Sequence, residues 1–374
     1  MGHVYLDHAA TTPMRAEAVA AMLPFLTERF GNPSGAHAAA RDARAAVDEA
    51  RDVLADALGC RPGEVVFTSG GTEGDNTAIA ATDGVVLCSA IEHHAVLEPV
   101  HALGARGRVV GVHADGTIDL DALAGALASD TALVSVMLAN NEIGVVQPLA
   151  EVAALVRAHA PAAVLHTDAV QAMPWVDVAE LAADAHLVTI SAHKLGGPKG
   201  VGALVVRDGT PFRARQVGGG QERDRRGGTH NVAGIVAMAE AVRLTVEERK
   251  ATVERVAPMR DRLVDGLLAA VPDALESGAR ARKIAGNAHL CFGGIESEAL
   301  LFLLERDGVL ASAASSCASG AQDPSHVLAA IGISRAVARG SLRLSLGTTT
   351  TEADVDRALA VIPPAVAHLR EVGS

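Results

Sequence analysis

At 374 residues the chain is longer than one ordinary domain and carries enough apolar surface to fold around a core without disulfide staples. Acidic residues outnumber basic ones, 44 to 32, and the formal charge of -12 repels nucleic-acid phosphates, so no direct nucleic-acid partner is expected. Residues Met1 to Asp7 hold no basic segment followed by an apolar run, and no uncharged window is long enough to span a bilayer, so a cytoplasmic protein without a membrane partner is expected.

The hydrophobic fraction is 49% but aromatics contribute only 2%, which leaves Ala, Val and Leu to fill the interior and points to a helix-rich α/β protein. Arginines between Ala39 and Arg51 alternate with Asp and Glu, the pattern of a solvated helix face. From Glu64 to about Val206, β-rich runs alternate with Ala-rich helical patterns, the signature of βαβ units around a mainly parallel sheet. The predicted strands are Glu64 to Thr68, Val85 to Cys88, Arg108 to Val112, Ala132 to Met137, Ala163 to Thr167, Leu187 to Ile190 and Val201 to Val206. Several are apolar throughout, as strands covered on both faces must be. A Gly-rich stretch from Gly218 to Gly228 precedes a long helical pattern from about Asn231 to Ala270, with Pro258 as the expected kink or break. Strands at Asn287 to Phe292 and Ser341 to Leu346, with helices at Glu296 to Asp307 and Thr351 to Val372, complete a smaller α+β unit. The four cysteines, Cys60, Cys88, Cys291 and Cys317, are widely spaced and form no Cys-x-x-Cys pair, so neither a zinc site nor a disulfide framework is suggested.

Chemistry concentrates at strand ends. Ser191-Ala192-His193-Lys194 follows directly on an apolar run, and a lysine buried at a sheet edge can lose its proton and bond an aldehyde cofactor, whereas an ordinary strand-end lysine is solvated. Asp168 ends another apolar strand and can pair with a pyridinium nitrogen, or simply cap a helix. Thr68 to Glu73 leads from a strand into a helix, where free amides and hydroxyls can cradle a phosphate or serve as a plain N-cap. It is not a Walker loop, since no Gly-Lys-Ser/Thr follows. His93, in Glu92-His93-His94, falls at the same end of the sheet and can cover a cofactor ring or shuttle protons; no third ligand suggests a metal. Cys317 lies in a run of small and polar residues from Ala311 to Pro324 with no helical or strand period, the setting of either an accessible nucleophilic thiol or an incidental exposed cysteine, while Cys88 and Cys291 sit in apolar strands.

Taken together, these segments resemble the cysteine desulfurases, fold-type I pyridoxal-phosphate enzymes of the class-V aminotransferase type, and the similarity covers essentially the whole chain. Tyr5 to Pro13, Gly31 to Ser34, Phe67 to Asn76, Glu92 to Leu97, Asn140 to Gly144, His166 to Gln171, Ser191 to Lys194 and Gly218 to Thr229 all match the pattern. The resemblance implies a large domain at 14–247 with a mainly parallel seven-stranded sheet, and a small domain from 1–13 and 248–374 that carries the Cys317 loop. It implies pyridoxal 5'-phosphate joined to Lys194, with Asp168 at the ring nitrogen, His93 stacked on the ring, and Asn141 and Gln171 at the ring oxygen. Gly71, Thr72, Ser191 and His193 would hold the phosphate, and Thr229 would reach the phosphate of the neighbouring subunit in a homodimer. Arg343 would clamp the carboxylate of L-cysteine, with Asn32 and Asn141 beside it, and Cys317 would take the sulfur as a persulfide for a protein acceptor in iron-sulfur assembly or thio-modification.

The chain departs from the pattern in its shortness between Ala80 and Val85, in Gly74 where serine is usual, in Ser316 beside Cys317, and in an end soon after Val372. A selenocysteine lyase or another lyase or aminotransferase of the same fold would not need Cys317 for its main turnover. A cofactor-binding but inactive scaffold would release no alanine.

Overall fold

The computed structural model describes residues 3–313 and 325–373; Cys317 lies outside the described residues. The strands, in chain order, are β1 (Val4–Tyr5), β2 (Val65–Thr68), β3 (Val85–Ser89), β4 (Gly107–Val110), β5 (Thr131–Ser135), β6 (Val164–Asp168), β7 (Leu187–Ser191), β8 (Gly202–Val206), β9 (Ala274–Glu276), β10 (Asn287–Phe292), β11 (Val309–Leu310) and β12 (Ser341–Ser345). Seven of them form one sheet in the order β2-β8-β7-β6-β5-β3-β4. Strand β8 runs antiparallel to both its neighbours, which leaves β2 pointing the same way as β3 to β7. The fold is therefore the mostly parallel α/β sheet of fold-type I.

Period-two side-chain alternation explains why these runs become strands covered on both faces. Val65, Phe67, Leu87, Val134, Leu165, Val188 and Val205 point to one face and join a hydrophobic cluster. Their neighbours Val66, Val86, Leu133, Val164, Leu187 and Leu204 point to the other and join a second cluster. Helices supply the two covers. On the first face lie α1 (Ala16–Leu26), α2 (Ala38–Leu58) and the first half of a long helix described below; on the second lie α3 (Gly71–Ile79) and α4 (His94–Ala102). Helices α5 (Leu120–Ala126), α6 (Leu149–His159) and α7 (Val178–Leu181) complete the first cover.

The long helix α8 (Val232–Ala270) has 39 residues and starts at Asn231, whose side chain accepts from the Gly234 amide. Its early residues, such as Ala237 and Val242, belong to the large cluster, and Val256, Met259, Leu263 and Leu267 to a separate one. The expected boundary at 247/248 thus falls inside one helix. The expected break at Pro258 does not occur: α8 runs unbroken through it. An interior proline costs about 3 kcal/mol, whereas burying Val256, Met259 and Leu263, each at most 2% exposed, returns roughly 1.5–3 kcal/mol per side chain. Packing outweighs the lost ladder bond.

The separate cluster is built on the antiparallel sheet β12-β10-β9, with α9 (Ser297–Arg306) and, after the short helices α10 (His326–Ala330) and α11 (Arg335–Ala338), the terminal α12 (Glu352–Gly373). The amino-terminal segment joins it: β1 pairs in parallel with β11, and Val4 and Leu6 are buried there. That pairing carries Asp7 to Ala10 out of the small sheet and over the large one, with the Ser345 hydroxyl accepting from the Ala9 amide at 2.8 Å. Among the described residues no helix is long and apolar enough to cross a membrane.

Candidate active site

Five parallel strands end at one edge of the large sheet. Strand β6 stops at Asp168, and β7 stops at Ser191 with Lys194 one tight turn beyond. Strand β2 leads into α3 at Gly71, β3 leads to His93 at the start of α4, and the segment after β5 carries Met137 and Asn141. The crevice outside the carboxyl ends of such strands is where an open α/β sheet receives a ligand. A single cleft there is lined by Gly71, Thr72, His93, Asn141, Asp168, Gln171, Ser191, His193, Lys194 and Arg343.

Each position has a local cause. Gly71 and Thr72 form the first turn of α3, whose amides have no partner within the helix and face an incoming anion. The same helix packs tightly on β7 because residue 74 is glycine: a Cβ there would stand 2.7 Å from Thr189 Cγ2. His93 caps α4, its Nδ1 accepting from the Ala95 amide at 3.1 Å, which leaves the ring proton on Nε2. Gln171 is fixed by donation from Nε2 to the Ala9 carbonyl at 2.7 Å, and His193 Nδ1 lies 3.2 Å from Thr11 Oγ1.

Burial sets the charges. Lys194 donates to the carbonyls of Ala9 at 2.5 Å and Ala10 at 2.8 Å, yet desolvation, helped by the positive charge of Arg343, brings its amine down to about 8 against the pull of Asp168 and Asp7. Desolvation raises Asp168 to about 6, opposed by the Val170 amide that donates to Oδ1 at 2.8 Å and by the Lys194 charge. Desolvation, with Lys194 and the neighbouring histidines, lowers His93 to about 4, so its imidazole is neutral at physiological pH. Arg343, on β12, spans the junction with the small sheet: Nη2 pairs with Asp7 Oδ1 at 2.8 Å, Nη1 donates to the Asn141 carbonyl at 3.1 Å, and Nε is buried without a partner.

Two expected residues are not brought to this cleft. Asn32 is exposed in the turn before α2, its Oδ1 accepting from the Ser34 amide at 3.0 Å. The turn is held on α2, where Arg44 Nη2 donates to the Pro33 carbonyl, so within one chain Asn32 does not stand beside Arg343. Thr229 is exposed at the end of the Gly-rich loop, which is pinned by two ion pairs, buried Arg51–Glu222 at 2.8 Å and Arg226–Glu73 at 2.8 Å. Ser34 and His230, neighbours of Asn32 and Thr229, line a different surface pocket. Conversely, Asp75 and Ser312 line the cleft without having been singled out from the sequence. Asp75 had a detectable signal, since it lies four residues after Gly71 on the same face of α3; Ser312 had none, because only its bridge to Arg343 brings it there.

The donor set suits pyridoxal 5'-phosphate. It offers an amine depressed towards neutrality, a buried carboxyl group, a neutral imidazole, and a helix start flanked by Ser191 and His193 for a phosphate. Asp75 Oδ1 and Arg343 Nε, both buried and unpartnered, are polar atoms still seeking a ligand.

Such a site on such a sheet defines a pyridoxal-phosphate enzyme of fold-type I. The chain belongs to the aminotransferase class-V family, whose model matches residues 4–358. It is 45% identical over 383 residues to an IscS-like cysteine desulfurase of Mycobacterium tuberculosis, covering 98% of this chain and 97% of that protein. It is 42% identical over 381 residues to the cysteine desulfurase IscS of Dictyoglomus turgidum, covering 99% and 96%. Among solved structures, a NifS-like protein superposes with a TM-score of 0.91 at 34% identity, covering 98% of this chain and 100% of that one.

Proposed function

We propose that this chain is a cysteine desulfurase that converts L-cysteine to L-alanine and carries the sulfur as a persulfide on Cys317 to a protein acceptor, working as a cytoplasmic homodimer with 14–247 as its cofactor domain. The observation that carries the reading is the convergence of Lys194, Asp168 and Arg343 on one cleft whose wall includes Ser312, five residues before Cys317.

Bound pyridoxal phosphate supplies an electron sink for the substrate's Cα–H bond. Gly71, Thr72, Ser191 and His193 would hold its phosphate, Asp168 would keep a proton at its ring nitrogen, and neutral His93 would cover its ring. Arg343 takes the substrate carboxylate, for which a guanidinium fork is suited. Lys194, its amine brought down to about 8 so that a substantial fraction is unprotonated near neutral pH, accepts the Cα proton and returns it. The Cys317 thiolate attacks the substrate sulfur: a sulfur–sulfur bond forms, the carbon–sulfur bond breaks, and its electron pair goes to the carbon that becomes the alanine methyl group. The balance is one cysteine plus one thiol giving one alanine plus one persulfide.

Mass spectrometry after incubation with L-cysteine tests this directly. A gain of one sulfur on the Cys317 peptide, abolished in Cys317→Ser while the cofactor's visible band persists, is expected. Alanine formation without sulfur on that peptide would instead favour a lyase, and no alanine at all an inactive scaffold.

A further inference from the structure

A second cavity lies behind Lys194, on the far side of Ala9, Gln171 and Lys194 from the catalytic cleft; those three residues line both. Its walls are mainly apolar, from Met14, Pro174, Trp175, Leu195 and Ile284, the last two buried in the large cluster, and from Leu346 of the separate one. Trp175 packs against both hydrophobic clusters, so the cavity sits at their junction. The ring's seat is shaped for it: a Cβ at Gly286 would lie 2.1 Å from Trp175 Cζ2.

The cavity is also cationic. Among the described residues no carboxylate lines it, whereas Arg15, Lys194 and Arg249 do. Arg15 is satisfied by Glu248 at 2.7 Å, and burial lowers His8 to about 4, which leaves that imidazole neutral. Arg249 is different: Nη2 pairs with Asp177 at 2.8 Å, but Nη1 is buried without a hydrogen-bond partner among the described residues. A buried guanidinium N–H left unmade is costly and calls for an acceptor. The cavity holds about 110 Å³, room for several waters that a small ligand would displace.

We propose that this cavity is a binding site for a small apolar monocarboxylate, its ring or branched chain against Trp175 and its carboxylate on Arg249. An anion seated there lies directly behind Lys194 and, before the cofactor is attached, favours the ammonium form of that side chain and so opposes attachment.

The chain's only tryptophan is Trp175, so intrinsic fluorescence excited at the red edge of the indole band reports the cavity alone. Benzoate titrated into the holoenzyme should give a saturable change. Losing the charge-assisted bond should weaken half-saturation by roughly tenfold or more, either in Arg249→Met or when benzamide replaces benzoate, while Arg343→Met leaves it unchanged. The benzamide comparison needs no variant to fold. Absence of a saturable change, equal binding of benzamide and benzoate, or loss of the response in Arg343→Met, which would put the probe in the catalytic cleft, overturns the proposal.

Discussion

The depressed amine of Lys194 can be tested on apoenzyme stripped of cofactor. Cofactor attachment needs the neutral amine, and Lys194 is brought to about 8 from an ordinary 10.5 chiefly by burial. At about pH 7.5 roughly a quarter of the Lys194 amines are then neutral, against about one in a thousand for an unperturbed lysine, a gain of roughly 200-fold in reactive form. Adding pyridoxal phosphate and following the visible absorbance should show an attachment rate that rises through neutrality, reaches its midpoint near pH 8 and levels off by about pH 9. Lys194→Ala should never develop the band. Because the positive charge of Arg343 helps lower Lys194 and Asp168 works against it, Arg343→Met should move the midpoint upward and Asp168→Asn downward. A rate that keeps climbing towards pH 10, or midpoints that move in the opposite senses, would refute burial and these two charges as the cause.

Other perturbations act on separate parts of the molecule. Arg343→Lys keeps the charge but loses the fork, and steady-state kinetics should show KM for L-cysteine raised by roughly 10- to 100-fold with kcat less affected. Glu222→Ala leaves the guanidinium of Arg51 buried without its carboxylate, which should cost about 3–5 kcal/mol in urea unfolding, with Glu222→Gln milder. Burial would raise the Glu222 carboxyl, but bonds from Arg51, His230 and the Phe67 amide hold it down to about 2, below the usual 4.5; its contribution is therefore complete above about pH 4.5 and is lost as pH falls towards 2. Gly286→Ala forces Trp175 from its seat, and a loss of about 1–3 kcal/mol should accompany a shift in indole emission.

Much of the large sheet was legible because its strands are short apolar runs bounded by turn residues, and both faces are covered, so the pattern hardly depends on what packs above or below. Helix α1 was not legible. Its N-cap Arg15 makes no side-chain cap, Pro24 interrupts it, and Val19, Leu23 and Leu26 stay exposed, which blurs the apolar stripe. Of the kink or break expected at Pro258, the break does not form, because local backbone chemistry is visible in a sequence while the burial that offsets it is not. The same divide runs through the site. Lys194 and Asp168 announce themselves by ending apolar runs, but Asp7 and Ser312 are brought to the site by Arg343, which pairs with the one at 2.8 Å and bridges the other. Asn32 shares a motif with the site residues, yet its turn is held on α2, away from Arg343.

Why the charge at the floor of the cleft belongs to Asp168 follows from its neighbours. Asp75 lines the same cleft, and Glu92 is buried nearby, its Oε1 accepting from the Met137 amide at 2.6 Å. Desolvation raises all three carboxyls, and the charge of Asp168 raises the other two further. Carboxylates crowded in a dry site cannot all ionise, so the proton stays where anion support is weakest. Asp75 Oδ1 and Glu92 Oε2 have no partners. The cation that might have paired with Asp75 is missing too: His166 Nε2 lies 3.6 Å from Oδ1, but burial lowers that imidazole to about 3, and its nitrogens already engage Ser135 at 2.8 Å and Thr189 at 3.0 Å. Asp168 alone of the three has both an amide donor on its carboxylate and the Lys194 charge facing it. A strand end explains where Asp168 stands; the carboxyls of Asp75 and Glu92, raised by burial and by the Asp168 charge itself, leave Asp168 the best-supported place for a negative charge.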